Sequence, residues 1–158
     1  MGITVLFLAV PALVFGMEKP NKVLVIKSKK KMYLKRYDKI LKEYNVALGT
    51  NPKGPKRRQG DEKTPEGWYI LDYKKENSGF YKSIHISYPN HHDIEQSEKL
   101  GASPGGMIMI HGQRNGLEDR EKVIQQFNWT TGCIAVTNRE MDEIWNAVEI
   151  GTPIEILP

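Results

Sequence analysis

A single cysteine, Cys133, stands in 158 residues, which excludes an internal disulfide. No apolar run reaches the roughly 20 residues that a membrane-spanning helix needs. The four histidines offer no spaced ligand set. His91-His92-Asp93 is the nearest approach to one, but consecutive ligands without a matching distant pair point to a solvated loop, so no metal is expected. RNP, zinc-finger and helix-turn-helix signatures are missing, which argues against nucleic acid as a partner. There is no internal repeat, and 39% hydrophobic with 27% charged residues is the composition of a chain that folds.

What the chain does contain begins with an apolar segment from Ile3 to Phe15, followed by Gly16 and polar sequence from Glu18. Its length fits a secretory h-region, although no Lys or Arg precedes it. Residues 1–16 are therefore expected to be a signal peptide or an N-terminal anchor, with a buried first strand or core helix as the alternative. Export to the periplasm or cell envelope follows from this reading, and membrane contact is expected only through that segment. Residues 20–158 are long enough for one domain with a real core and too short for two. The net charge is +4, with lysines crowded between Lys27 and Lys63 and acids such as Glu118, Asp119, Asp142 and Glu143 in the second half. That asymmetry suits an anionic wall polymer or lipid surface, while the plainer reading is a solvated face with lysines guarding edge strands.

Short β-branched and alternating segments dominate. Strands are predicted at Val23–Ile26, Met32–Tyr37, Glu43–Leu48, Trp68–Leu71, Ser83–Tyr88, Met107–Ile110 and Ile154–Leu157, separated by Gly and Pro turn signals. The segment from Asn51 to Gly67 reads as a loop. Two helices are predicted, a short one from Asp93 to Leu100 and a clearer one after the capping box Thr137-Asn138-Arg139-Glu140. In the second, Met141, Ile144, Trp145 and Val148 fall on one face. The fold class is thus mainly β with a few short helices.

His111 and Cys133 both fall at element ends, where loops over a rigid scaffold carry chemistry. A histidine that takes a cysteine's proton turns a weak nucleophile into a strong one. Gly132 allows close approach of a substrate carbonyl, and N–H groups of its turn can bind an oxyanion. The Gly112 carbonyl can hold the imidazole tautomer. On spacing alone, a buried structural cysteine and a core histidine remain the commoner arrangement. His85 points either to the site or to the core, and Trp129 either lines a groove or fills the interior.

Four blocks occur in order: His-Ile-Ser-Tyr-Pro-Asn at 85–90, Ser-Pro-Gly-Gly at 103–106, Ile-His-Gly at 110–112 and Trp-Thr-Thr-Gly-Cys-Ile-Ala-Val-Thr-Asn at 129–138. With Gly60-Asp61-Glu62-Lys63-Thr64-Pro65-Glu66-Gly67-Trp68-Tyr69 upstream, they resemble the L,D-transpeptidase catalytic domain of the YkuD type. The resemblance implies a β-sandwich single domain with no cofactor. It makes Cys133 the nucleophile, His111 its base and Gly112 the orienting carbonyl, with Gly132 and Cys133 as oxyanion donors. It also implies peptidoglycan stem peptides as substrates, attacked to leave a thioester and expel D-alanine. An amine acceptor then gives a cross-link and water gives a trimmed stem.

Thr131 and Ala135 depart from the broader family's Ser-His-Gly-Cys-x-Arg/Asn pattern. They match a branch that includes carboxypeptidases and amidases acting on stem peptides or on wall-linked proteins. Transpeptidation is the first expectation, hydrolysis the second and an inactive wall-binding module the third. Thr131 is a candidate hydroxyl donor because it adjoins Cys133.

Overall fold

The computed structural model describes residues 18–158, so the expected leader or anchor at residues 1–16 lies outside the described residues. In chain order the elements are β1 (Lys22–Ile26), β2 (Lys31–Arg36), β3 (Lys39–Asn45), β4 (Gly67–Ser78), β5 (Tyr81–Ile86), α1 (His91–Glu98), β6 (Met109–His111), α2 (Glu121–Ile124), β7 (Ile134–Ala135), α3 (Asn138–Ala147) and β8 (Pro153–Leu157). The strands form one mixed sheet in the order β3-β2-β1-β8-β4-β5-β6-β7. Parallel pairing occurs between β1 and β8 and between β6 and β7, and the other pairs are antiparallel.

Period-two alternation builds the core. Val23 and Val25 of β1, Met32 and Leu34 of β2, Ile84 and Ile86 of β5, and Ile154 and Ile156 of β8 are all buried in one apolar cluster. Each contributes about 1.5–3 kcal/mol through the apolar surface it removes from water. The long β4 turns the sheet. Gly67 to Ile70 pair with β8, Leu71 onward pairs with β5, and register shifts on either side of Lys74 and Lys75 bend the strand between its two partners. Beyond β3, Ala47 bridges Ala135 and Gly49 bridges Thr130. The two ends of the sheet therefore meet around a single core, the mainly β single domain that the sequence predicts.

Several boundaries moved. β3 starts at Lys39 because Tyr37, at φ 53, turns the chain tightly after β2. Its alternation is hidden, since Tyr44 is its only buried residue. β4 runs to Ser78 through Lys74, Lys75, Glu76 and Asn77, which carry no apolar signal. β6 starts at Met109 because Met107 has φ 56, a left-handed conformation that ends strand pairing. α2 had no clear period and is absent from the sequence reading. α3 is as predicted: Thr137 and Glu140 cap each other reciprocally, and Met141, Ile144 and Val148 are buried.

Candidate active site

Cross-strand register assembles the site. Lys75 on β4 pairs with Ser83 on β5, Ser83 with His111 on β6, and His111 with Ala135 on β7. Directly opposed residues share a face, so these four form one rung across the sheet. One step along, His85 pairs with Met109, and Cys133, two residues before Ala135, lies level with Met109. Cys133 and His111 thereby come to line one cavity of about 610 Å³, together with Phe80, Met109, Trp129 and Thr131.

His111 is 3% exposed. Its ring lies between Phe80, at 4.6 Å between centroids, and Trp129, edge-on at 5.6 Å. Its Nδ1 is 2.6 Å from the Gly112 carbonyl. A carbonyl only accepts, so Nδ1 carries the proton and Nε2 keeps a lone pair. Burial in this aromatic box pushes the imidazole pKa down to about 4, against the raising effect of the Gly112 carbonyl. Gly112 is required sterically, because a Cβ there would lie 2.5 Å from Asn138 Oδ1. Asn138 Oδ1 in turn accepts from the Gln113 N–H at 2.8 Å, tying the end of β6 to the start of α3.

Burial also pushes the Cys133 thiol up, opposed by a backbone hydrogen bond from Met109 and by the charge of Lys56. Its Sγ lies 3.6 Å from the Met107 carbonyl, to which a protonated thiol donates. At neutral pH the cavity is thus lined by a neutral thiol and a neutral imidazole.

Below Cys133 lies the loop from Asn51 to Glu66, fastened by two buried lysines. Lys27 Nζ donates to the Gly54 and Thr64 carbonyls, each at 2.8 Å, and to Glu66 at 2.9 Å. Lys56, 4% exposed, pairs with Asp61 at 2.8 Å. Burial raises the Asp61 carboxyl, but hydrogen bonds from Lys56 and the N–H groups of Arg57, Arg58 and Lys63 outweigh it and hold the group below its usual range. Gly132 packs directly on this loop. It sits at φ +138, and a Cβ there would fall 2.7 Å from the Lys63 carbonyl oxygen. Lys56, Met107, Thr131 and Cys133 also border a second cavity of about 330 Å³ on the loop side.

Two of the candidate residues are engaged by neighbours. The Gly132 N–H, expected as an oxyanion donor, donates to Thr130 Oγ1 at 3.1 Å, while that hydroxyl donates to the Cys133 carbonyl at 2.7 Å. The Cys133 N–H has no acceptor among the described residues. His85 is not brought to the cavity. It shares the face of the site, but Met109 lies between it and Cys133, Tyr73 stacks on its ring at 4.5 Å, and Asp72 binds its Nδ1 at 2.6 Å.

Thr131 and Trp129 do line the cavity, and Thr131 is exposed. His91 and His92 open α1, with His91 3.2 Å from Glu95 on the surface. Sequence reasoning passed over Phe80, Thr130, Lys75 and Arg114. Only Thr130 carried a signal, its place two residues before Gly132.

The comparisons with known proteins agree with this architecture. The putative L,D-transpeptidase YafK of Escherichia coli K12 is 33% identical over 111 residues, covering 69% of this chain and 37% of its own length. The helical cell shape determining protein Pgp2 of Campylobacter jejuni superposes with a TM-score of 0.60 at 25% identity, over 85% of this chain and 46% of that one. An L,D-transpeptidase from Xylanimonas cellulosilytica shares the fold at a TM-score of 0.57 and 16% identity, over 85% and 59% of the two chains. This chain therefore spans less than half the length of YafK and Pgp2. The YkuD profile, described as the L,D-transpeptidase catalytic domain, matches residues 20–156, and the protein belongs to that family.

Proposed function

We propose that the protein is a cysteine acyltransferase acting on peptidoglycan stem peptides in the cell envelope. One observation carries this: Cys133, just before β7, and His111, at the end of β6, line the same cavity, with the imidazole held in the tautomer that leaves Nε2 free. The similarity to YafK, a putative L,D-transpeptidase, and to Pgp2, a helical cell shape determining protein, supports the wall as the substrate.

Because thiol and imidazole are both neutral, proton transfer accompanies attack. Sγ adds to the substrate carbonyl as its proton passes to His111 Nε2. The unpartnered Cys133 N–H faces the developing oxyanion. Collapse breaks the bond to D-alanine, whose amine takes the proton from the imidazolium, and a thioester remains. An acceptor amine then gives a cross-link, with Cys133 leaving as thiol. Water in its place gives a shortened stem and makes the enzyme a carboxypeptidase.

Incubation with a stem tetrapeptide is expected to release D-alanine and add the acyl mass to Cys133, detected by intact-protein mass spectrometry. A folded protein that acquires no adduct, or a Cys133→Ala variant that still releases D-alanine, overturns the reading. A cross-linked dimer as product assigns the transferase, and a tripeptide assigns the hydrolase.

A further inference from the structure

The charge on the lining of the 610 Å³ cavity is one-sided. Among the described residues, Lys75 and Arg114 are the only formally charged side chains on its lining, and no carboxylate lines it. Neither cation makes a side-chain hydrogen bond or ion pair among the described residues, whereas Lys22, Lys27, Lys31, Lys56 and Lys82 each have an acidic partner.

Their placement follows from the fold. Lys75 stands on the same rung and face as Ser83 and His111, two strands from the base, so the two backbones are about 10 Å apart. Arg114 lies three residues beyond His111 on the segment that leaves β6. The remaining wall is largely apolar, with Phe80, Met109, Leu117, Ile124 and Trp129. Both cations are exposed at the border of this apolar wall, so they are the charged groups that an entering anion meets.

We propose that Lys75 and Arg114 form a carboxylate-binding end of this cavity and select an acyl donor that presents a carboxylate away from the carbonyl under attack. The proposal rests on the acyltransfer reading and specifies its substrate. Arg114 suits a planar carboxylate through its fork of donors, and Lys75 adds a point charge. The carboxylate has two possible sources, the terminus of the leaving residue or an acid within the retained peptide. Ala135, completing the rung beyond His111, is fully buried and supplies no charge.

The test compares a stem tetrapeptide with two analogues, one amidated at its C-terminus and one amidated at an internal carboxylate. In the wild type, KM is expected to rise about tenfold for the analogue that has lost the bound carboxylate, in line with a charge-assisted hydrogen bond. Lys75→Gln and Arg114→Gln raise KM for the native peptide by a similar factor at nearly constant kcat, with Arg114→Lys recovering part of the loss. The preference for carboxylate over amide collapses in the double variant.

Equal losses for carboxylated and amidated donors, or no change in KM, overturn the proposal. Binding of the same peptides to Cys133→Ala protein, measured by calorimetry, applies the same comparison without turnover. Failure of the acyltransfer reading and failure of this one are thereby distinguished.

Discussion

Cys133 stands between two walls built on different physics. On the sheet side, aromatic and apolar groups crowd His111 and strip it of water, so the wall tunes reactivity by burial. On the loop side, buried ion pairs and backbone hydrogen bonds fix the course of residues 51–66, and that backbone determines the shape of the turn at Gly132. The first wall keeps the imidazole neutral, and the second decides where the cysteine backbone sits. Chemistry and geometry are therefore separable in this protein, and substitutions on each wall should fail differently.

The largest effect is expected from His111→Gln, which removes the proposed base. Acylation should slow by about 10²–10⁴-fold, the usual contribution of a positioned base, in a single-turnover mass-spectrometric assay. A loss below tenfold would remove His111 from the mechanism. On the opposite wall, Asp61→Asn leaves Lys56 buried without its counter-charge and should cost about 3 kcal/mol of stability in denaturant titrations. A stable Asp61→Asn protein with slow acylation would mean that the loop wall takes part in chemistry, erasing the difference between the two walls.

Acid provides a third separation. The unfolded chain protonates His111 near its ordinary value of 6.5, while the folded ring resists until about pH 4. Between these values the unfolded state binds more protons, so stability falls as pH drops. At ~1.4 kcal/mol per pH unit the loss reaches up to ~3 kcal/mol. His111→Phe keeps the aromatic packing and should flatten this limb. The Asp61 carboxyl, whose pKa is depressed, weakens the fold only at lower pH, below its unfolded value near 3.9. A His111→Phe profile that still falls between pH 6.5 and 4 would refute the assignment. The smallest effect belongs to Thr131→Val. Its exposed hydroxyl has no partner among the described residues, so acylation should change by about twofold or less.

Much of the scaffold was legible because local patterns matched what the tertiary fold uses. Val23 and Val25, Met32 and Leu34, and Ile154 and Ile156 alternate in sequence and are buried in the core. Thr137 and Glu140 cap α3 through contacts three residues apart, which sequence spacing can express. The polar arm of β4 from Lys74 to Asn77 was illegible, since its strand character comes from pairing with β5. His85 was ambiguous for a related reason: period two says that it shares a face with Ser83, but not that Tyr73 and Asp72 occupy it.

Composition and local pattern establish that one thiol is present, that it follows a glycine at a turn, and that a histidine ends an apolar strand. These are local properties of composition, backbone freedom and hydrophobic period. Long-range pairing supplies the rest: β6 lies parallel to β7 and brings His111 and Cys133 to one cavity, where Phe80 and Trp129 desolvate the imidazole. It also gives the Gly132 N–H to Thr130 and places Lys75 on the rung of His111. Each of those facts is a contact between segments distant in the chain, set by register and closure of the sheet, and no local pattern encodes it.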